Sequence, residues 1–190
     1  MKGNGSIRSG AGTGGASTNP AGKASNALMN ALQSGKFQRM GYEEQDRMLA
    51  AADKESSKLT ENRDIYSDSE WDAMTAYLGS GYERMNEYSI GVSKGDSETR
   101  QLVSDLDKAI RRRKLTKDIV VWRGSDNDES TSGRFKSTSL KASVADKFRT
   151  GKHLHAYVIP KGTHFLYTER KGESEVILPR DFDLRKHMIK

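Results

Sequence analysis

The sequence predicts an α+β fold in which helices come first and a mainly antiparallel β core follows. Three observations carry that expectation. Up to residue 116 apolar side chains recur at three- and four-residue steps, whereas from residue 117 onward they fall in short β-rich runs. The runs are joined by turn residues and one helical stretch, with little of the strand–helix–strand alternation that builds a parallel sheet. At 190 residues and 34% hydrophobic content, the chain can bury one core and still carry a tail.

Seven of the 18 glycines fall in the first 22 residues, among Ser, Thr, Ala and Asn. Such a composition buries too little apolar surface to offset its ordering entropy, so residues 1–24 are read as a disordered tail. Residues 25–190 form a single domain, with a helical part at 25–116 and a strand-rich part at 117–190. Ala27, Leu28 and Leu32 mark a first short helix, and Met48, Leu49 and Ala52, after Glu43 and Glu44, a second. A stronger helix opens at Ser67-Asp68-Ser69-Glu70, a capping-box pattern, and carries Trp71, Met74, Leu78, Tyr82 and Met85 along one stripe. Gly79 and Gly81 predict a break in its middle. Another helix follows Gly95-Asp96 with Leu102, Leu106 and Ile110 in line, and ends in Arg111 to Lys114, where cations suit the helix dipole.

Strands are expected at 118–123, 135–140, 153–159, 163–167, 175–178 and 182–184, with a helix at Val144, Ala145 and Phe148 between the second and third. Pro160-Lys161-Gly162 and Lys171-Gly172 supply turns. Trp71, Trp122 and Phe148 read as core. His153 and His155 alternate on one strand with no third ligand at metal spacing, which predicts an exposed pair and no metal.

Composition excludes several classes of function. The chain has no cysteine, hence no disulfide, thiolate metal site or cysteine nucleophile. No apolar run approaches the roughly 18 to 20 residues of a membrane span, and no secretory signal is visible at the N-terminus. The net charge is +6, but residues 1–40 hold five cations (Lys2, Arg8, Lys23, Lys36, Arg39) and no acid, leaving 27 basic against 26 acidic groups in the rest. A near-neutral body with a basic tail argues against a dedicated nucleic-acid face.

Three polar features stand in order on successive strands: Arg123 in Val-Trp-Arg-Gly, Ser137-Thr138-Ser139 behind Phe135, and Glu173-Ser174-Glu175 leading into Val-Ile-Leu-Pro. Together they resemble the Arg, Ser-Thr-Ser, Glu-x-Glu signature of mono-ADP-ribosyltransferases, the class of actin- and arginine-modifying bacterial toxins and phage-encoded enzymes. The resemblance covers about residues 65–186 and includes Tyr77, Tyr82 and Asn86 on the preceding helix and Pro160-Lys161-Gly162-Thr163 later in the chain. It implies sheets split around an NAD cleft and transfer of ADP-ribose from NAD to an arginine of a target protein, with nicotinamide released and no metal involved. Catalytic roles fall to Glu175, Glu173, Ser137 and Arg123. The dinucleotide is expected on Arg123, Gly124, Ser137, Thr138, Ser139, Tyr77, Asn86, Arg149 and Lys152, and the protein substrate on Tyr167, Thr168, Glu169 and Glu173. The implied protein is a monomeric toxin or effector, injected or phage-delivered, working in the host cytoplasm. Two alternatives stay open: the same site acting on a nucleic acid, and a non-catalytic binding or virion module with this fold.

The chemistry fits these residue types. Breaking the nicotinamide–ribose bond develops positive charge on the sugar, which a nearby carboxylate stabilises; Glu175 is the candidate. A guanidinium grips a diphosphate in two-pronged fashion, which suits Arg123. A short hydroxyl on a neighbouring strand, Ser137, can fix the carboxylate rotamer. If the segment is extended, Glu173 projects to the same side as Glu175 and can prepare an acceptor guanidinium, whose pKa lies above about 12.

Overall fold

In the helical half, side chains fix where the helices begin. The structure, a computed structural model, describes residues 20–125, 133–149 and 153–189. Helix α1 spans Lys23–Gln33 and α2 spans Tyr42–Lys54. The Glu55 carboxylate, just past α2, accepts the backbone N–H groups of Ala24 (3.1 Å) and Ser25 (2.9 Å) at the start of α1. These donors have no partner within their own helix, and a carboxylate there also meets the positive end of the dipole. Helix α1 thus begins at Lys23, just inside the stretch that composition assigns to the tail, of which residues 1–19 lie outside the described residues.

Helix α3, Asp68–Ala76, starts at the expected capping box: the Glu70 amide donates to Ser67 Oγ (3.3 Å), and the Ser67 amide to the Glu70 carboxylate (2.8 Å). A π-helical turn at Tyr77–Gly81 then separates α3 from α4, Tyr82–Ser89, with Gly79 at φ −105°, ψ −133°. The two-glycine break lies where the sequence places it. Helix α5, Ser97–Arg111, is capped by Asp96, which accepts from the Thr99 amide at 2.6 Å.

Five strands follow: β1 (Ile119–Ser125), β2 (Lys136–Ser139), β3 (His153–Ile159), β4 (Leu166–Thr168) and β5 (Glu175–Leu178), with helix α6 (Ala142–Lys147) between β2 and β3. They form one sheet of order β3-β1-β2-β5-β4, antiparallel at every step. The fold is therefore α+β, as expected. Two strand expectations need correction. The one at 163–167 is displaced to Leu166–Thr168, and 182–184 is no strand: Leu184–His187 is a 3₁₀ turn. There Asp183 accepts from the Arg185 amide at 3.2 Å, and such local side-chain bonding overrides alternation.

One face of the sheet carries Ile119, Val121, Tyr157, Ile159, Tyr167, Val176 and Leu178, which pack with Leu115, Phe165 and Leu184. The other face is covered by two separate helix groups. Trp122, Leu154 and Ala156 pack with Leu28, Met29, Leu49 and Ala145 from α1, α2 and α6, while Leu166 and Ile177 pack with Met74, Met85, Val103, Leu106 and Ile110 from α3, α4 and α5. Trp122 is 1% exposed; burying a large apolar side chain of this kind contributes about 1.5–3 kcal/mol. Between the groups, β1 and β2 share one registered pair, Trp122↔Ser139, among the described residues. The split anticipated from the family resemblance thus takes the form of one sheet pinched at its β1–β2 seam.

Candidate active site

A cavity of about 430 Å³ opens at this seam. β1 brings Arg123 and Gly124 to it, β2 brings Ser137, Thr138 and Ser139, β5 brings Glu175, and the turn before β5 brings Glu173. The π turn after α3 supplies Tyr77 on the facing wall. Gly124 is there because nothing larger fits: a Cβ on it would stand 2.4 Å from the Ala145 carbonyl oxygen and 2.8 Å from the Arg149 nitrogen. This close approach seats α6 against the end of β1.

Buried hydrogen bonds hold the polar residues in place. Ser137 Oγ donates to Tyr77 Oη (3.3 Å), Asn86 Nδ2 donates to the same oxygen (3.4 Å), and Tyr77 Oη donates to the Phe135 carbonyl (3.4 Å). Asn86 Oδ1 accepts the Phe135 amide at 3.0 Å. Asn86 is buried and is not among the cavity-lining residues; both ends of its amide are engaged within the frame. Tyr77, 3% exposed, lines the cavity but directs its hydroxyl inward. Thr138 Oγ1 donates to the Val176 carbonyl (2.8 Å), and Ser139 Oγ donates to the Glu173 carbonyl (2.7 Å) while accepting the Lys141 amide (3.0 Å). The hydroxyls of Thr138 and Ser139 thus tie β2 to β5 and to the turn before it. Arg123 Nη1 donates to the Ser137 carbonyl and links β1 to β2 across the seam.

Burial pushes the Glu175 carboxyl above its ordinary value, against the pull of the Ser137 hydroxyl; the Glu173 charge adds to the rise, while Arg123 and Arg170 oppose it. Tyr77 is likewise raised, first by burial.

Glu173 reaches the cavity by a route other than strand alternation. It lies at φ −77°, ψ −13°, and Ser174 has φ +46°, so the chain turns between the two glutamates and extends only from Glu175. Tyr167, Thr168 and Glu169, which the family resemblance assigns to the protein substrate, are not among the cavity-lining residues. Tyr167 and Thr168 are buried residues of β4, and Tyr167, 2% exposed, packs with Val176 and Phe165. The Glu169 carboxylate turns back to accept from Tyr167 Oη and from Ser174 Oγ (3.1 and 3.3 Å). The loop residues that line the cavity are Arg170 and Lys171, which sequence reasoning missed; Arg170 Nη1 donates to the Thr75 carbonyl at the end of α3 (3.3 Å).

Phe148, expected in the core, is 59% exposed and stands in the cavity lining, as does the exposed Tyr82. Phe148 follows the last residue of the short α6, so its periodicity does not bury it. Arg149 is paired with Asp146 (3.0 Å) and is not among the lining residues, and Lys152 lies outside the described residues. Trp71 packs at the edge of the helical core under the Arg63 guanidinium, 4.7 Å away. The His153 and His155 rings stack at 5.6 Å. Among the described residues no three His, Asp or Glu side chains converge as a metal site, and no helix is long and apolar enough to cross a membrane.

The profile of the ADP-ribosyltransferase exoenzyme family matches residues 36–133, more than half of the chain. The chain belongs to this family. Its curated relatives include the NAD(+)–arginine ADP-ribosyltransferase EFV of Enterococcus faecalis, 32% identical over 130 residues; the match takes in 57% of this chain and 26% of that relative's length. Among solved structures, Pseudomonas aeruginosa exoenzyme S, in complex with human 14-3-3 protein beta and bound to carba-NAD, superposes with a TM-score of 0.55 at 18% identity, covering 63% of this chain and 65% of that one. Plx2a, an ADP-ribosyltransferase toxin of Paenibacillus larvae, gives 0.53 at 22% identity, covering 63% and 76%. These exoenzyme structures share the α+β architecture described above.

Proposed function

We propose that this protein is a mono-ADP-ribosyltransferase that takes NAD as co-substrate and an arginine of a target host protein as acceptor. One observation carries the reading: Glu173 and Glu175 line the same cavity as Arg123 and Ser137. Its volume of about 430 Å³ is within the range of small-ligand pockets, roughly 300–1,000 Å³. The guanidinium of Arg123 suits a diphosphate, and Arg170 and Lys171 add positive charge at the rim. NAD supplies a ribose whose bond to nicotinamide breaks with the electron pair leaving on nicotinamide. Glu175, ionised, faces the positive charge that develops on the sugar, and the Ser137 hydroxyl can turn its one hydrogen from Tyr77 Oη to hold it. Glu173 accepts a hydrogen bond from the incoming guanidinium, orients it and takes the proton it loses as the new bond to the sugar forms. The arginine acceptor is also that of the Enterococcus faecalis relative by its name.

The test offers labelled NAD to the purified protein with agmatine, with a host-cell lysate and with RNA, and follows nicotinamide release alongside label transfer. The expected outcome is release together with labelled agmatine and labelled lysate protein. Glu175→Gln should lower both by about a hundredfold or more. Label on RNA alone would overturn the arginine reading, and absence of nicotinamide release would overturn the enzyme reading.

A further inference from the structure

We infer that Tyr167 and Glu169 brace the turn between the two site glutamates, and so set how ADP-ribose is partitioned between an acceptor guanidinium and water. The inference rests on the function proposed above. Ser174, the residue between the glutamates, is buried at 3% exposure and sits at φ +46°, a left-handed conformation that side chains other than glycine rarely adopt. Such a residue stays in place only where its surroundings hold it. Two sets of bonds do so. From β2 and the residue that follows it, Ser139 Oγ donates to the Glu173 carbonyl (2.7 Å) and the Leu140 amide to the Ser174 carbonyl (3.0 Å). From the opposite side, the Glu169 carboxylate accepts from Ser174 Oγ and from Tyr167 Oη. Tyr167 is fixed in β4, in register with Val176 of β5.

The two glutamates are therefore held by different means. Glu175 is a strand residue, in register with Ser139 on one side and Thr168 on the other. Glu173 precedes the strand and takes its direction from the turn at Ser174. Weakening the brace should redirect Glu173 while leaving Glu175 in its ladder. Of the two glutamates, hydrolysis of NAD needs Glu175 alone, whereas transfer to a guanidinium also needs Glu173 in place. Glu169 is thus a positioning residue: its carboxylate turns toward the protein, and its effect on acceptors passes through Ser174.

The experiment compares the full chain with Glu169→Ala, Ser174→Ala, Tyr167→Phe and Glu169→Gln, each verified as folded by its melting transition. It records nicotinamide release without acceptor, the yield of ADP-ribosyl-agmatine, and the KM for NAD. Glu169→Ala and Ser174→Ala should lower the transfer-to-hydrolysis ratio by about tenfold or more, since misplacement of a reacting group by about 1 Å can cost a hundredfold. Hydrolysis and the KM for NAD should stay near the parent values. Glu169→Gln keeps an oxygen that can accept from both hydroxyls and should restore most of the ratio; Tyr167→Phe removes one anchor without changing the packing and should fall between. An unchanged ratio in folded Glu169→Ala and Ser174→Ala, or an equal fall of both activities, overturns the brace. A parent protein that releases nicotinamide but never modifies agmatine overturns instead the arginine reading on which the brace depends.

Discussion

Ser137 Oγ donates a hydrogen bond to Tyr77 Oη at 3.3 Å, tying the strand that faces Glu175 to the π turn at the far wall of the cavity. The phenol lies at the centre of three polar partners, Ser137, Asn86 and the Phe135 carbonyl. Tyr77→Phe keeps the ring and its packing against Phe135, at 5.5 Å between centroids, but leaves those groups without their shared partner. A loss of about 1–3 kcal/mol in stability is expected by denaturant titration. Nicotinamide release should slow with little change in the KM for NAD, because the hydroxyl acts through Ser137. A large rise in KM with kcat intact would show that Tyr77 touches the dinucleotide directly.

Arg123 is expected to contribute shape as well as charge. Its Nη1 donates to the Ser137 carbonyl, which sets the plane of the guanidinium inside the cavity. Arg123→Lys keeps the charge and loses the planar fork, so NAD affinity should fall by about tenfold or more, equivalent to about 1.4 kcal/mol. Isothermal calorimetry that finds parental affinity would refute this role.

Glu175 links activity and stability to pH in opposite ways. Burial raises its carboxyl above the ordinary value of 4.5, and catalysis needs it ionised, so nicotinamide release should fail on acidification at a pH above that value. For stability the sign is reversed. A group with a raised folded-state pKa favours the folded protein below its unfolded pKa and loses that contribution as pH rises through the folded value. Glu175→Gln should therefore melt higher than the parent at neutral pH, and the gap should close as pH falls through the carboxylate range. Melting curves from pH 4 to 8, compared between the two proteins, check this; a gap that widens on acidification would contradict it.

Gly124 should tolerate no side chain. A methyl group at this position would come within 2.4 Å of the Ala145 carbonyl oxygen, a backbone atom that cannot rotate away. Gly124→Ala should cost about 1–3 kcal/mol and displace α6 from the cavity rim. Chemical denaturation measures the first effect and the KM for NAD the second.

The N-terminal boundary can be tested from both sides. Removing residues 1–19 should leave NAD cleavage unchanged, since none of the proposed site residues lies there. Glu55→Ala removes the acceptor for the Ala24 and Ser25 amides, and should lower the melting temperature while leaving NAD cleavage unchanged. Loss of cleavage in a folded 20–190 fragment would place part of the site in the tail.

Much of this organisation was legible in the sequence because it rests on local rules. The Ser67–Glu70 capping box, the Asp96 cap and the break at Gly79 and Gly81 are decided within a few residues, and each occurs where expected. Arg123, Ser137 and Glu175 come together because antiparallel pairing places β1, β2 and β5 side by side, with β3 and β4 at the two edges of the sheet. What local rules could not reveal was which way side chains turn. Tyr167, Thr168 and Asn86 carry polar groups of a kind that serves ligands, but each is enclosed by segments distant in sequence. Phe148 departs in the other direction, since six residues of helix leave its ring past the last turn. Lys171-Gly172 reads as a plain turn, although the cations Arg170 and Lys171 so close to Glu173 are themselves the available signal.

The pinched seam has a mechanical consequence. Backbone ladders make a sheet the stiffest part of most domains, and here the ladder thins to the Trp122↔Ser139 pair, among the described residues, at the place where the cavity opens. On one side β3 and β1 are in register over seven residue pairs and carry α1, α2 and α6; on the other, β2, β5 and β4 carry α3, α4 and α5. Such a pattern favours a change in the width of the cleft over distortion of either wall. The Arg123 guanidinium, reaching over to the Ser137 carbonyl, acts as a tether across that joint.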